Sequence, residues 1–294
     1  MRQSLPSRES RTVGATQASP GSKTAQAAVI ARARHASPLP VLLLLLAGCD
    51  SLRLAPGEQQ KQNAWLHNRT AAVAAESYHT NESRIVRGDV EAALRDAPLT
   101  LDGEIDIGGQ EHLYLETQAA FAELDGDGGV TVLSSTQHPS EIQAVVAHVL
   151  DLPRSRVVVQ SPRMGGGFGG KETQGNTWAA LAALAAVKTG RPVRVQLDRD
   201  VDMALTGKRH PMHARYRVGF APDGRLTGLD VRMVSDGGWA LDLSESILDR
   251  AMFHFDNGYY IPAVHAQGRV GRTNNVSHTA FRGFGGPQGM VMIE

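Results

Sequence analysis

The residues Met164–Thr173, MGGGFGGKET, place five glycines among the six positions 165–170 and follow them at once with Lys171 and Glu172. Backbone this bare can approach a ligand closely, and two phosphate-binding patterns fit its letters. Gly165, Gly167 and Gly170 match the spacing of a dinucleotide loop, and Gly165 to Lys171 matches a Walker A loop without its last residue. A Walker A loop requires a Ser or Thr hydroxyl on magnesium after the lysine; Glu172 stands there, and its carboxylate would repel the phosphates. A dinucleotide loop requires an acid for the ribose about twenty residues on, whereas the next acid, Asp198, lies too far along. Nucleotide binding is therefore disfavoured, and a tight structural turn explains the glycines of this loop taken alone.

Other residues of suitable type recur around it. Gln137 ends a strand just before a turn, Arg250 falls on a helix face, and Gly283-Phe284-Gly285-Gly286 repeats Gly167-Phe168-Gly169-Gly170 with Arg282 ahead of it. Each has an ordinary alternative: Gln137 as a helix cap, Glu172 and Arg250 ion-paired elsewhere, Phe284 in a core. His210 and His213 lack the helical spacing of metal ligands and read as structural.

These residues must be positioned by the surrounding elements. VTVLSSTQ (130–137) reads as a strand, and SEIQAVVAHVL (140–150) as an amphipathic helix with Ile142, Val145, Val146 and Val149 on one face and Ser140 as N-cap. RVVVQ is a second strand leading into the glycine loop. WAALAALAAVKTG is a buried, nearly all-apolar helix closed by Gly190, and RVQLD is another strand. Tyr216, Val218 and Phe220 alternate with arginines before Pro222-Asp223-Gly224, which predicts a hairpin. LDLSESILDRAMFHF predicts a helix capped by Asp242 or Ser244, with Arg250 beside Leu243 and Ile247, where a charge requires a partner. The pattern is mixed α+β: mixed sheets with packed helices.

Lysine plus arginine (30) equal aspartate plus glutamate (30), so no overall field favours nucleic acid or an acidic membrane. A single cysteine, Cys49, excludes an internal disulfide framework and a cysteine-ligated zinc or iron–sulfur centre within the chain. Residues 1–40 are rich in Ser, Ala and Arg with Glu9 the sole acid, which predicts a disordered leader. VLLLLLAGC ends in a lipoprotein-type Leu-Ala-Gly-Cys but is too short to span a bilayer. The expected location is cytoplasmic, with lipid anchoring at Cys49 the alternative; the sequons at Asn68, Asn81 and Asn275 mean little without secretion.

Taken as blocks, GGQEHLYLE, STQ, RMGGGFGGKE, DRAMFH, FDN and TAFRGFGGPQ resemble the molybdopterin-binding (large) subunit of the xanthine dehydrogenase/aldehyde oxidase family of molybdenum hydroxylases. The resemblance covers residues 82–294, a partial molybdopterin-binding domain corresponding to the first half of the family's cofactor region. Residues 1–81 match poorly and read as leader plus a remnant of the preceding small α/β domain. The resemblance implies molybdenum-dependent hydroxylation of purines, hypoxanthine and xanthine to urate, with oxygen from water. It implies that Gln137 hydrogen-bonds the metal's oxo group, that Phe168 and Gly169 bring backbone N–H groups against the metal centre, and that Arg282 helps hold the pterin. Glu172 would hydrogen-bond the purine, Arg250 would stabilise negative charge developing on its carbonyl oxygen, and Phe284 would stack on its face. Related aldehyde oxidases lack the Glu and Arg pair, which points to purines. Molybdenum is held through molybdopterin, with no protein ligand directly on the metal. Iron–sulfur clusters and FAD are expected on other segments or subunits, in a full enzyme that is a homo-oligomer. The general-base glutamate and second stacking phenylalanine of the family lie beyond the matched blocks. The chain therefore reads as a truncated piece, inactive alone; a non-catalytic or membrane-tethered binding or assembly protein is the rival reading.

Overall fold

The computed structural model describes residues 69–294. The leader expected to be disordered, the leucine run, Cys49 and Asn68 lie outside the described residues. Along the chain run α1 (Arg69–Ala74), β1 (Ser83–Arg87), α2 (Val90–Arg95), β2 (Leu99–Ile107), β3 (Ala119–Leu124), β4 (Val130–Ser134), α3 (Pro139–Leu150) and β5 (Val157–Gln160). Then follow α4 (Gly175–Thr189), β6 (Val193–Gln196), α5 (Arg199–Leu205), β7 (Met212–Phe220), β8 (Leu226–Asp236), α6 (Ser244–Met252), β9 (Ala263–Gly271) and α7 (Gly286–Val291).

The smaller sheet has the order β5-β4-β3-β6, with β4 and β5 parallel across the α3 crossover and the other pairs antiparallel. The apolar face of α3 (Ile142, Val146, Ala147, Leu150) and the alanines of α4 (Ala179, Ala182, Ala183, Ala186) bury themselves with Ala120, Ala122, Val130, Val132 and Val157. Small side chains let α4 lie close to the strands, and Gly190 ends it in a left-handed conformation, φ 67°.

The larger sheet has the order β1-β9-β8-β7-β2, mixed in direction: β7 and β8 form the expected antiparallel hairpin, while β8 and β9 run parallel across α6. Met212, Ala214 and Val218 of β7 point inward between more exposed arginines, as alternation requires. Leu248 and Met252 of α6 pack on Val231, Met233, Val264 and Ala266. Two mixed sheets with packed helices confirm the α+β expectation.

Two caps differ from the sequence reading. Helix α3 begins at Pro139, with His138 at the cap position and no side-chain cap bond, so Ser140 lies inside the first turn. Proline suits this place because its missing N–H would be unpaired there anyway. Helix α6 begins at Ser244 with Leu243 as cap, so neither Asp242 nor Ser244 is the cap residue. Asp242 stands just ahead in a left-handed conformation and accepts the Leu243 N–H at 2.6 Å.

Candidate functional site

The loop after β5 and the segment after β9 meet where the two sheets adjoin. Gln137, Phe168, Gly169 and Glu172 come from the smaller-sheet side, and Ala280, Phe281, Arg282, Gly283 and Phe284 from the larger; together they line one cleft of about 450 Å3. Six of the seven residues singled out by sequence are thus brought together. The seventh, Arg250, is not part of this lining: it is exposed on α6, and its guanidinium has no partner among the described residues. The expected charge compensation is absent because Arg250 sits at the margin of the buried stripe formed by Ile247 and Ala251, where water can solvate it.

The glycine loop is built around Gln137. Its Oε1 accepts from Gly169 N at 2.8 Å and Lys171 N at 3.3 Å, and its own backbone N–H donates to the Lys171 carbonyl at 2.8 Å. With Oε1 so engaged, Nε2 is left as a donor with no partner among the described residues, at the wall of the cleft. Four of the loop's N–H groups, that of Gly169 among them, are engaged within the fold. Gly169 and Lys171 donate to Gln137, Gly170 to the Gly167 carbonyl at 2.8 Å, and Glu172 to the Gly169 carbonyl at 3.4 Å. The glycines answer to crowding: a Cβ on Gly167 would lie 2.6 Å from Gln137 Oε1, and one on Gly169 2.6 Å from the Ala280 carbonyl oxygen. Gly169 also has φ 100°, which side chains rarely adopt.

Lys171 and Glu172, adjacent in sequence, go opposite ways. Lys171 is fully buried; its Nζ donates to the Glu116 carbonyl and to Ser135 Oγ, each at 2.7 Å, and lies 4.6 Å from the Tyr114 ring centre and 3.5 Å from Glu116 Oε2. A lysine committed to the core serves no phosphate, which agrees with the rejection of a Walker A loop. Glu172 faces the cleft. Burial raises its carboxyl above the usual carboxylate value, opposed by His138 and reinforced by Asp242 and Glu141.

Sequence reasoning missed the supporting polar residues. Asp242 accepts from Thr173 Oγ1 (2.6 Å), Gln174 Nε2 (3.1 Å) and Thr279 Oγ1 (2.8 Å), so one carboxylate ties the segment after Glu172 to the segment before Phe284. Arg282 N donates to the Phe168 carbonyl at 2.8 Å, joining the two loops directly. His112 Nε2 donates to the Ala280 carbonyl at 2.6 Å, and burial lowers its pKa. The block GGQEHLYLE did signal that His112, Tyr114 and Glu116 matter, though not what they hold. His210 is buried with Nε2 at 2.7 Å from Ser244 Oγ, and burial lowers its pKa to about 3. His213 sits 3.1 Å from Asp106. Among the described residues no group of three His, Cys, Asp or Glu could hold a metal ion, and no helix is long and apolar enough to cross a membrane.

Residues 73–294 match the molybdopterin cofactor-binding domain family. The chain is 49% identical over 224 residues to the xanthine dehydrogenase/oxidase of Felis catus and 51% identical over 224 residues to the xanthine dehydrogenase of Drosophila pseudoobscura pseudoobscura, in each case 76% of this chain and 17% of the relative. Among solved structures it is similar to an aldehyde oxidoreductase from Desulfovibrio gigas, with a TM-score of 0.68 and 30% identity over 73% of this chain and 24% of that one. It thus spans about a sixth of the length of the curated relatives it matches.

The residues present fit the group that gives the family its name. An unpartnered carboxamide donor, glycines where a Cβ has no room, and an exposed Arg282 guanidinium beside them suit an anionic, phosphate-bearing pterin. The chain belongs to the molybdopterin cofactor-binding domain family, of the xanthine dehydrogenase and aldehyde oxidoreductase type.

Proposed function

We propose that this chain forms one wall of the active site of a xanthine dehydrogenase-type molybdenum hydroxylase that oxidises purines, hypoxanthine and xanthine to urate. The observation that carries this reading is the single cleft lined by Gln137, Glu172 and Phe284, which supplies a donor, a half-buried carboxylate and an aromatic ring around one space. The reaction belongs to an enzyme that includes this segment, with an iron–sulfur and FAD partner to take the electrons, assembled as a homo-oligomer in the cytoplasm.

When bound, the molybdenum group supplies the two-electron oxidation and the transfer of a water-derived oxygen to the ring carbon. Gln137 would hold it through Nε2, the only end of its carboxamide not spent on the loop. Arg282 would hold the pterin's anionic end, and the backbone at Phe168 and Gly169 would close against it, with no side chain at Gly169 on the approach. Glu172 orients the purine by accepting its ring N–H, and Phe284 fixes the plane by stacking. Arg250, whose side chain is long and unpaired, would reach the carbonyl oxygen as negative charge develops there, an interaction stronger in the transition state than in the ground state.

The test uses Arg250→Met and Glu172→Val in the enzyme containing this segment, assayed on xanthine and on an aromatic aldehyde at matched molybdenum content. Arg250→Met is expected to cost about 2–4 kcal/mol of transition-state stabilisation on xanthine, as for one lost oxyanion donor, and far less on the aldehyde. Equal losses on both substrates would mean that these residues support the fold or the cofactor, and the purine reading would fall.

A further inference from the structure

The segment Ala280–Phe284 forms the larger-sheet wall of the cleft, and it reaches that position without belonging to any strand or helix. Something must hold it. Phe284 itself packs against Met212, Ile247 and Ala251, but Arg282 is exposed and the chain between them turns through Gly283 at φ 95°.

The residue that grips this segment is Arg209, from the short stretch between α5 and β7. Its guanidinium carbon lies 3.9 Å from the centre of the Phe281 ring, and Nη2 donates to the Arg282 carbonyl at 2.9 Å. Nε donates to Gln110 Oε1 at 3.1 Å, and Nη1 reaches Gln288 Oε1 at 3.5 Å. The backbone N–H of Arg209 donates to the Gln110 carbonyl at 2.9 Å, so the anchor is itself tied down. The Phe281 ring also packs on His112, 4.8 Å between centres, and His112 holds the neighbouring Ala280 carbonyl. One guanidinium therefore stacks on residue 281, bonds residue 282 and bonds residue 288, spanning the wall from before Arg282 to beyond Phe284. A planar fork with donors in fixed directions can do this; the single ammonium of a lysine cannot.

We propose that Arg209 is a positioning residue for the cleft: it sets where Arg282 and Phe284 stand, and so the alignment of cofactor and stacked substrate, without touching either. The assignment of those two ligands rests on the function proposed above; the grip itself does not.

The experiment compares the full 294-residue chain with Arg209→Ala and Arg209→Lys by hydrogen exchange, and in parallel measures xanthine binding by equilibrium dialysis on the enzyme that contains this segment. The expected result is exchange about tenfold faster at the N–H groups of Arg282 and Phe284 in Arg209→Ala, unchanged exchange in β8 and β9, and xanthine binding about tenfold weaker. Arg209→Lys, which keeps the charge and one donor, should recover part of both effects. Unchanged exchange at Arg282 and Phe284, or exchange raised equally throughout the larger sheet, would overturn the proposal. Localised loosening of the chain, together with an enzyme whose wild type binds no xanthine, would uphold the grip and count against the purine reading.

Discussion

The two Gly-Phe-Gly-Gly loops are the same turn in two settings. In each, phenylalanine and the following glycine are left-handed (Phe168 φ 53°, Gly169 φ 100°; Phe284 φ 47°, Gly285 φ 89°), and the fourth N–H closes on the first carbonyl, at 2.8 Å and 3.0 Å. The letters fix this local geometry, because two successive positive φ values call for glycine at one of the two positions at least. What surrounds the turn differs. The first is hung from polar side chains, Gln137 beneath Gly169 and Lys171 buried on Glu116 and Ser135. The second is pressed onto a helix, with the space at Gly285 closed by the Ile247 carbonyl and the Ala251 N–H, 3.0 Å from where a Cβ would stand. A shared turn thus sets the direction of two phenylalanines, and the tertiary supports decide how each loop can fail.

Breaking the second loop should give the largest effect. Gly285→Ala places a Cβ against the backbone of α6 and demands a left-handed alanine; about 1–2 kcal/mol for the conformation and about 1–3 for overpacking give a loss of about 4 kcal/mol. Urea unfolding measures it, and a loss below about 1 kcal/mol would mean that the loop can lift off α6 freely. Next comes the first loop's support. Lys171→Met keeps the length but leaves the Glu116 carbonyl and Ser135 Oγ without their donor, at a cost of about 3 kcal/mol, toward the low end for a broken buried pair because Glu116 is partly exposed. Smaller still is the acid sensitivity of the second loop's foundation, where Gln288 leans on the His210 carbonyl. His210 has a folded pKa of about 3, so its stabilisation is complete above the ordinary histidine value and lost as pH falls toward 3. By pH 5 that loss is about 2 kcal/mol, and His210→Gln should lack it. His278 shifts the same way through burial, so the difference between wild type and variant, not the slope alone, is the measurement.

Much of this architecture was legible in sequence, and the reasons are specific. The hairpin through Pro222-Asp223-Gly224 announced itself by period-two alternation, and α4 by its run of alanines closed at Gly190. The cleft residues were legible only as ordered blocks, since no spacing rule would pair Gln137 with Gly169 across thirty-two residues. Asp242, Lys171 and Arg209 stayed hidden for one common reason. Each bonds to groups far along the chain, Asp242 to Thr173, Lys171 to Glu116 and Arg209 to Arg282, and periodicity carries no trace of such partners. Arg250 shows the opposite error: its helical position was read correctly, but a helix margin offers water where a stripe would have demanded a counter-charge.

The smallest predicted effect separates the two loops most sharply, because its sign is reversed. Burial raises the Glu172 pKa, Asp242 and Glu141 add to the rise, and His138 opposes it. A carboxyl whose folded pKa is raised contributes stability below its ordinary value and loses it as pH climbs through the folded value, so at pH 7 the charge of Glu172 costs the first loop stability. Glu172→Gln preserves the shape and removes that cost: the variant should be more stable than wild type at pH 7, by less than about 1 kcal/mol because solvent screens a half-buried carboxylate, and equal to it at pH 3. Thus a rise in pH from 4 to 7 weakens the first loop at Glu172 while it strengthens the second at His210. Paired unfolding curves at the two pH values check this, and a Glu172→Gln chain less stable than wild type at pH 7 would mean that the carboxylate is paired in the fold and not held open. A residue whose neutralisation stabilises the protein is kept for something other than stability, and at Glu172 the same substitution is expected to weaken purine use.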